Sequence, residues 1–148
     1  MAKESIGALI REAAKLKKVQ EKVDFLVDND NSAIRIILKY MYDPNIEFLI
    51  PDTPPPYKAS DLLDVEGMMY REARRLKIFV KGGGYDNLNK TKRENLFISL
   101  LQDIDRRDAE ILCQMVTKKP LTGLTKGVIN KAYEGLIEEL IEEPGNEE

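Results

Sequence analysis

Lys118, Lys119, Lys126 and Lys131 fall in a stretch with no acid, around the break in Lys119 to Leu136, KPLTGLTKGVINKAYEGL. Pro120 and Gly123 end one helix there, and Thr122 and Thr125 can cap the next, so the N–H groups near Lys126 to Val128 point out of a first helical turn. Such an end binds phosphate, because several amides and the helix dipole act together. Lys126 opposes that dipole, a local cost that a bound anion would offset. A second run, Arg71 to Arg93, holds Arg71, Arg74, Arg75, Lys77, Lys81, Lys90, Lys92 and Arg93 against Glu72 and Asp86. These two segments are the candidate anion-binding surface.

Other chemistries find less support. The chain has no histidine and a single cysteine, Cys113, which excludes histidine-based acid–base work, triads with a histidine partner and nearly all zinc sites. No metal and no cofactor is expected. Lys81-Gly82-Gly83-Gly84 lacks the spacing and the preceding strand of a phosphate-binding P-loop and is expected to be a mobile turn. In DIDRRDAE, Asp103, Asp105, Asp108 and Glu110 alternate with Arg106 and Arg107 at a helix start, where Asp105 or Asp108 serves as a cap. Of the six tyrosines, most occupy apolar helix positions, and Tyr85, beside the glycines, is the one expected to be exposed.

The elements that must carry these residues follow from apolar spacing. Ser5 caps a helix to about Lys17 with Ile6, Leu9, Ile10, Ala13 and Ala14 on one face, and Val19, Val23, Leu26 and Val27 mark a second that ends at DNDNS. Ile34, Ile37, Leu38, Met41 and Tyr42 mark a third, stopped by Asp43-Pro44. Five of the seven prolines lie between Pro44 and Tyr57, an extended connection with Phe48, Leu49 and Ile50 tucked inward. Ser60 or Asp61 caps a fourth helix carrying Leu62, Leu63, Met68, Met69 and Leu76. Thr91 and Glu94 suggest a capping box for a fifth with Leu96, Phe97, Leu100, Leu101 and Ile104. Ala109, Leu112, Cys113 and Val116 give a sixth, and a seventh runs from Thr125 through Leu140. The expectation is an all-α single domain of about seven short helices in irregular stacked pairs, residues 1–136, followed by an acidic tail, 137–148.

The net charge of −3 conceals an asymmetry: Glu134 to Glu148 carries seven acids and no base, leaving +4 on the rest. No apolar run approaches the roughly 18 residues of a membrane span, and the charged start does not resemble a secretion signal, so an intracellular, cytoplasmic protein is expected.

Three blocks resemble the N-terminal DNA-binding domain of ATP-dependent DNA ligases, especially the small ligases of tailed phages. They are IGALIREAAKLKKVQEKVDFLVDNDNSAIRIILKYMYDPNIEFLI, LLQDIDRRDAEILCQMV and LTGLTKGVINKAYEGLI. The resemblance implies a helical domain on the minor-groove face of duplex DNA that holds phosphates and reads no bases. On this chain it points to Gly123, Thr125, Lys126, Gly127, Asn130 and Lys131. There is no K-x-D-G nucleotidyl-transfer motif, and Lys118 to Gly123 replaces the arginine or acid that ligases carry before the glycine. The expected function is a stand-alone, non-enzymatic phage protein that binds the duplex backbone. The alternative is an adaptor that retains the fold and recruits a phage or host protein through its helical surface or through the acidic tail, with Leu136, Ile137, Leu140 and Ile141 as the tail's apolar face.

Overall fold

Ser5 starts the first helix by accepting the Ala8 N–H on its hydroxyl at 3.1 Å. In the computed structural model, which describes residues 4–51, 53, 55–59 and 67–138, helix α1 (Ile6–Lys15) then buries Ile6, Leu9, Ile10 and Ala13. Helix α2 (Val19–Asp28) inserts only Leu26 completely, and α3 (Ser32–Tyr42), capped by the Asn31 side chain, inserts Ala33, Ile34, Ile37, Leu38 and Met41. The chain leaves α3 at Asp43-Pro44, as the pre-proline restriction requires. After Pro44 the chain turns at Asn45 and bends again at Leu49 and Ile50 instead of running extended, with Ile50 buried and Phe48 and Leu49 half-buried. Phe48 forms the single antiparallel bridge among the described residues, to Val80. Two backbone bonds flank it, Leu49 N–H to the Phe79 carbonyl (2.7 Å) and Lys81 N–H to the Glu47 carbonyl (2.8 Å).

The fourth helix differs from expectation. Its proposed start at Ser60 or Asp61, with Leu62 and Leu63, lies outside the described residues; what is described is a short α4 (Met68–Glu72) that tightens into a 3-10 helix (Ala73–Phe79). Met69, Ala73, Leu76 and Phe79 are buried along it. Helix α5 (Lys90–Asp103) is capped by Asn89, whose side chain accepts the Lys92 N–H at 3.2 Å, so the expected Thr91 cap is displaced by two residues. Helix α6 (Arg106–Thr117) begins at Asp105, which accepts the Arg107 N–H at 2.8 Å. Helix α7 (Lys126–Ala132) is shorter than the stripe to Leu140 suggests, because the chain turns through Gly135 at φ 72°.

Among the described residues these seven α-helices and one 3-10 helix make an all-α domain. Helix α6 is its centre: Ala109, Ile111, Leu112, Met115 and Val116 are buried against α1, α3 and α5. The 3-10 helix packs on α3, α4 and α5, whereas α7 packs on α2. None of the helices is long and apolar enough to cross a membrane, among the described residues.

Candidate nucleic-acid interface

The body sorts its cations into those it uses internally and those it leaves at the surface. Lys118 belongs to the first kind. It ends α6 in the left-handed region (φ 59°), which turns its side chain toward the end of α3. There the ammonium donates to the carbonyls of Tyr40 (2.9 Å), in the last turn of α3, and of Asp43 (2.5 Å) and Ile46 (3.1 Å) just beyond it, so that all three of its protons are used; the Asp43 carbonyl also accepts the Ile46 N–H at 3.2 Å. Phe48 lies 5.9 Å below the charge. Burial pulls the Lys118 pKa down, and the nearby Asp43 opposes that shift. Lys118 is therefore a brace for α3, a correction to its assignment as a phosphate contact.

Arg93 is the second correction. It is 4% exposed, and its guanidinium donates to the carbonyls of Ile78 (3.3 Å), Tyr85 (2.7 Å) and Asp86 (3.3 Å). It ties the glycine turn to α5. The turn itself is built to one shape: both carboxylate oxygens of Asp86 accept the Gly82 N–H at 3.0 Å, and Gly82 and Gly84 have φ of 83° and 100°. A Cβ on Gly83 would lie 2.1 Å from the Lys77 carbonyl. The expectation of a mobile turn gives way to a stapled loop, because a buried arginine and an aspartate satisfy its backbone.

What remains outside is a set of seven exposed cations on adjoining elements: Arg71, Arg74, Arg75 and Lys77 on α4 and the 3-10 helix, Lys81 at the loop, and Lys90 and Lys92 in the first turn of α5. Glu72, half-buried, approaches Arg71 at 3.9 Å and Arg75 at 3.2 Å. Asp86 is the exposed acid of the 71–93 segment, and it is already held by Gly82. Tyr85 is 42% exposed in the middle of this set, as the sequence predicts. The other tyrosines are engaged in the body; Tyr42 donates to the Leu124 carbonyl (2.6 Å) and Tyr133 to the Leu26 carbonyl (2.6 Å).

The α7 segment is mostly architecture. Gly123 (φ 93°) is pressed against α1, where a Cβ would come within 2.2 Å of the Ala14 carbonyl, and its own carbonyl accepts from the Lys22 ammonium. Thr125 caps α7 by accepting the Val128 N–H at 3.2 Å. Asn130 closes a ring with Ile137, donating to its carbonyl (3.1 Å) and accepting its N–H (2.8 Å), so its amide is taken up by the segment that follows α7. Lys126 is half-buried, while Lys119, Gly127 and Lys131 are exposed. The two basic segments approach each other at one seam: Lys118 holds the Ile46 carbonyl, and the Glu47 carbonyl accepts the Lys81 N–H.

The body also reaches further than residue 136. Ile137 is 4% exposed, and Glu138 meets Lys39 at 3.3 Å. Two of the four apolar anchors expected for an adaptor tail are thus engaged, Leu136 half-buried and Ile137 buried, while Leu140 and Ile141 lie outside the described residues.

The residue that sequence reasoning undervalued is Asp108. It is fully buried in the first turn of α6, which Asp105 caps, and it serves α1 instead, accepting the Ser5 hydroxyl (2.8 Å) and the Gly7 N–H (2.6 Å) on Oδ1. Its Oδ2 has no hydrogen-bond partner. Burial raises its pKa to about 6, against the lowering effect of those two donors. The signal was available: Asp108 lies on the same helical stripe as Leu112 and Met115. Among the described residues, no group of three or more Cys, Asp or Glu could hold a metal ion.

The chain belongs to DUF6433, a family of unknown function, whose profile matches residues 9–122. No curated protein matches it. The matched span contains the whole Arg71 to Arg93 segment and ends before Gly123 and α7.

Proposed function

We propose that this member of the DUF6433 family binds duplex DNA through its phosphate backbone, without reading sequence, as a non-enzymatic accessory to DNA metabolism. The observation that carries this reading is the run of exposed cations Arg71, Arg74, Arg75, Lys77, Lys81, Lys90 and Lys92 beside a stapled loop. Cations left at a surface while Lys118 and Arg93 are consumed inside suit a polyanion, and phosphate contacts need charge at roughly the right spacing rather than a shaped pocket. Lys119, exposed just after α6, and Lys126, Gly127 and Lys131 of α7 remain its outlying members. The likeness of three blocks to ligase DNA-binding domains favours duplex DNA among polyanions.

Fluorescence anisotropy with a labelled duplex of arbitrary sequence tests the reading. The expected result is binding at low salt whose affinity falls with log[salt] at about −0.9 per phosphate neutralised, equal for unrelated sequences. Absence of binding at low salt, or affinity indifferent to salt, overturns it.

A further inference from the structure

We propose that the loop carrying Tyr85 is a stacking site for an unpaired DNA base, so that the protein prefers duplex DNA with a single-stranded extension over fully paired DNA. This rests on the backbone-binding reading and deepens it.

The loop is costly to build. A buried guanidinium is expensive unless its donors are satisfied. Those of Arg93 that are bonded go to carbonyls of the 78–86 segment, two of them at Tyr85 and Asp86. The Tyr85 carbonyl also accepts the Leu88 N–H at 3.0 Å, so the backbone that bears the ring is held from two sides. Asp86 closes the other end of the turn on Gly82, and glycines at positive φ shape the path between. Arginine, aspartate and glycines thus hold the loop backbone, and Tyr85 on it is left 42% exposed.

That ring contrasts with every other aromatic side chain of the described body. Phe79 and Phe97 pack edge to face in the core, Tyr40 packs on Phe48, and Tyr42, Tyr70 and Tyr133 donate to backbone carbonyls. Phe25 and Tyr57 are half-buried, which leaves Tyr85 as the exposed one. Its immediate neighbours are Gly84 and Asp86, whose carboxylate is taken up by the Gly82 N–H, and the cations next along the chain all face solvent: Lys81 precedes the turn, and Lys90 and Lys92 follow it in the first turn of α5. An aromatic face on a pre-set backbone among cations is the combination by which proteins hold unpaired nucleotides, the ring stacking on a base while the ammonium groups meet the flanking phosphates. Paired bases inside a duplex offer no free face, so the ring contributes only where a base is unstacked. Pre-organisation of the loop removes the ordering cost that a mobile tyrosine would incur on binding.

The test uses the full chain and two labelled DNAs with equal numbers of phosphates, one a blunt duplex and one a shorter duplex with a single-stranded adenine extension. The wild-type protein is expected to favour the extended DNA by at least about fivefold, the lower end of what one stacked base supplies. Tyr85→Ala should abolish the preference and leave blunt-duplex affinity and its salt dependence unchanged; Tyr85→Phe should keep the preference. Equal wild-type affinity for the two DNAs overturns the stacking site while leaving backbone binding intact. So does a Tyr85→Ala variant that loses affinity equally for both, or a Tyr85→Phe variant that loses the preference. No binding to either DNA at low salt overturns the backbone reading and the stacking site with it.

Discussion

Asp108 shows how one buried side chain couples two distant parts of the chain. Its folded pKa of about 6 lies above the ordinary carboxylate value, so the fold favours the protonated form. That contribution is complete below about pH 4 and is lost as pH rises through about 6, on the order of 2–3 kcal/mol in all. Asp43 and Asp105 behave oppositely: despite burial, the Lys39 ammonium and the Arg107 side chain hold them below the usual range, so their contributions vanish as pH falls. The difference in urea stability between wild type and Asp108→Asn isolates the first effect, and it should shift in favour of the variant between pH 4 and pH 6.5; a flat difference would show that Asp108 does not titrate in this way. Lys118 supports a second prediction at this scale. Lys118→Met removes the ammonium shared by three carbonyls near the end of α3, of which that of Asp43 keeps the Ile46 N–H, and is expected to cost about 1–3 kcal/mol in urea unfolding, whereas Lys119→Met should cost almost nothing.

At the scale of elements, glycines and caps separate positions that sequence alone treats alike. Gly123 and Gly127 both flank the start of α7, but only Gly123 combines positive φ with a carbonyl where a Cβ would go. Gly123→Ala should therefore destabilise by more than about 2 kcal/mol, while Gly127→Ala, whose Cβ would meet the Thr125 hydroxyl at an ordinary 3.9 Å within a helix, should be neutral or stabilise by up to about 1 kcal/mol, both read from thermal unfolding. The start of α5 offers a similar contrast. Asn89→Ala removes the bonded cap and is expected to cost about 1 kcal/mol, and Thr91→Ala much less. The Thr91–Glu94 pattern suggested the cap because local spacing is all that a sequence displays. Asn89 takes the role because the stapled loop delivers the chain to α5 two residues earlier. The start of α1, the end of α3 and the start of α6 were legible, since Ser5, the proline after Asp43 and Asp105 act within a few residues of themselves.

For the whole molecule, the proposed interface predicts that Arg74→Glu with Lys77→Glu will lower duplex affinity for all sequences alike. The magnitude of the salt slope should fall by about 1 for each phosphate no longer neutralised, measured by anisotropy across salt. The same pair of reversals should leave thermal stability nearly unchanged, because both side chains are exposed. The sequence by itself determined the all-α class, since apolar stripes at helical spacing and proline breaks are local signals. It also determined that histidine chemistry is unavailable and that a basic body precedes an acidic end. Only the tertiary structure decided which cations belong to the surface. Lys118 is consumed by carbonyls 72 to 78 residues away, and Arg93 by a loop whose path depends on the 3-10 helix beneath it; the neutral Asn130 is likewise taken up by Ile137. A charge in a sequence carries no mark of the carbonyls that folding will bring to it, and satisfaction of buried polar groups is a property of the packed chain.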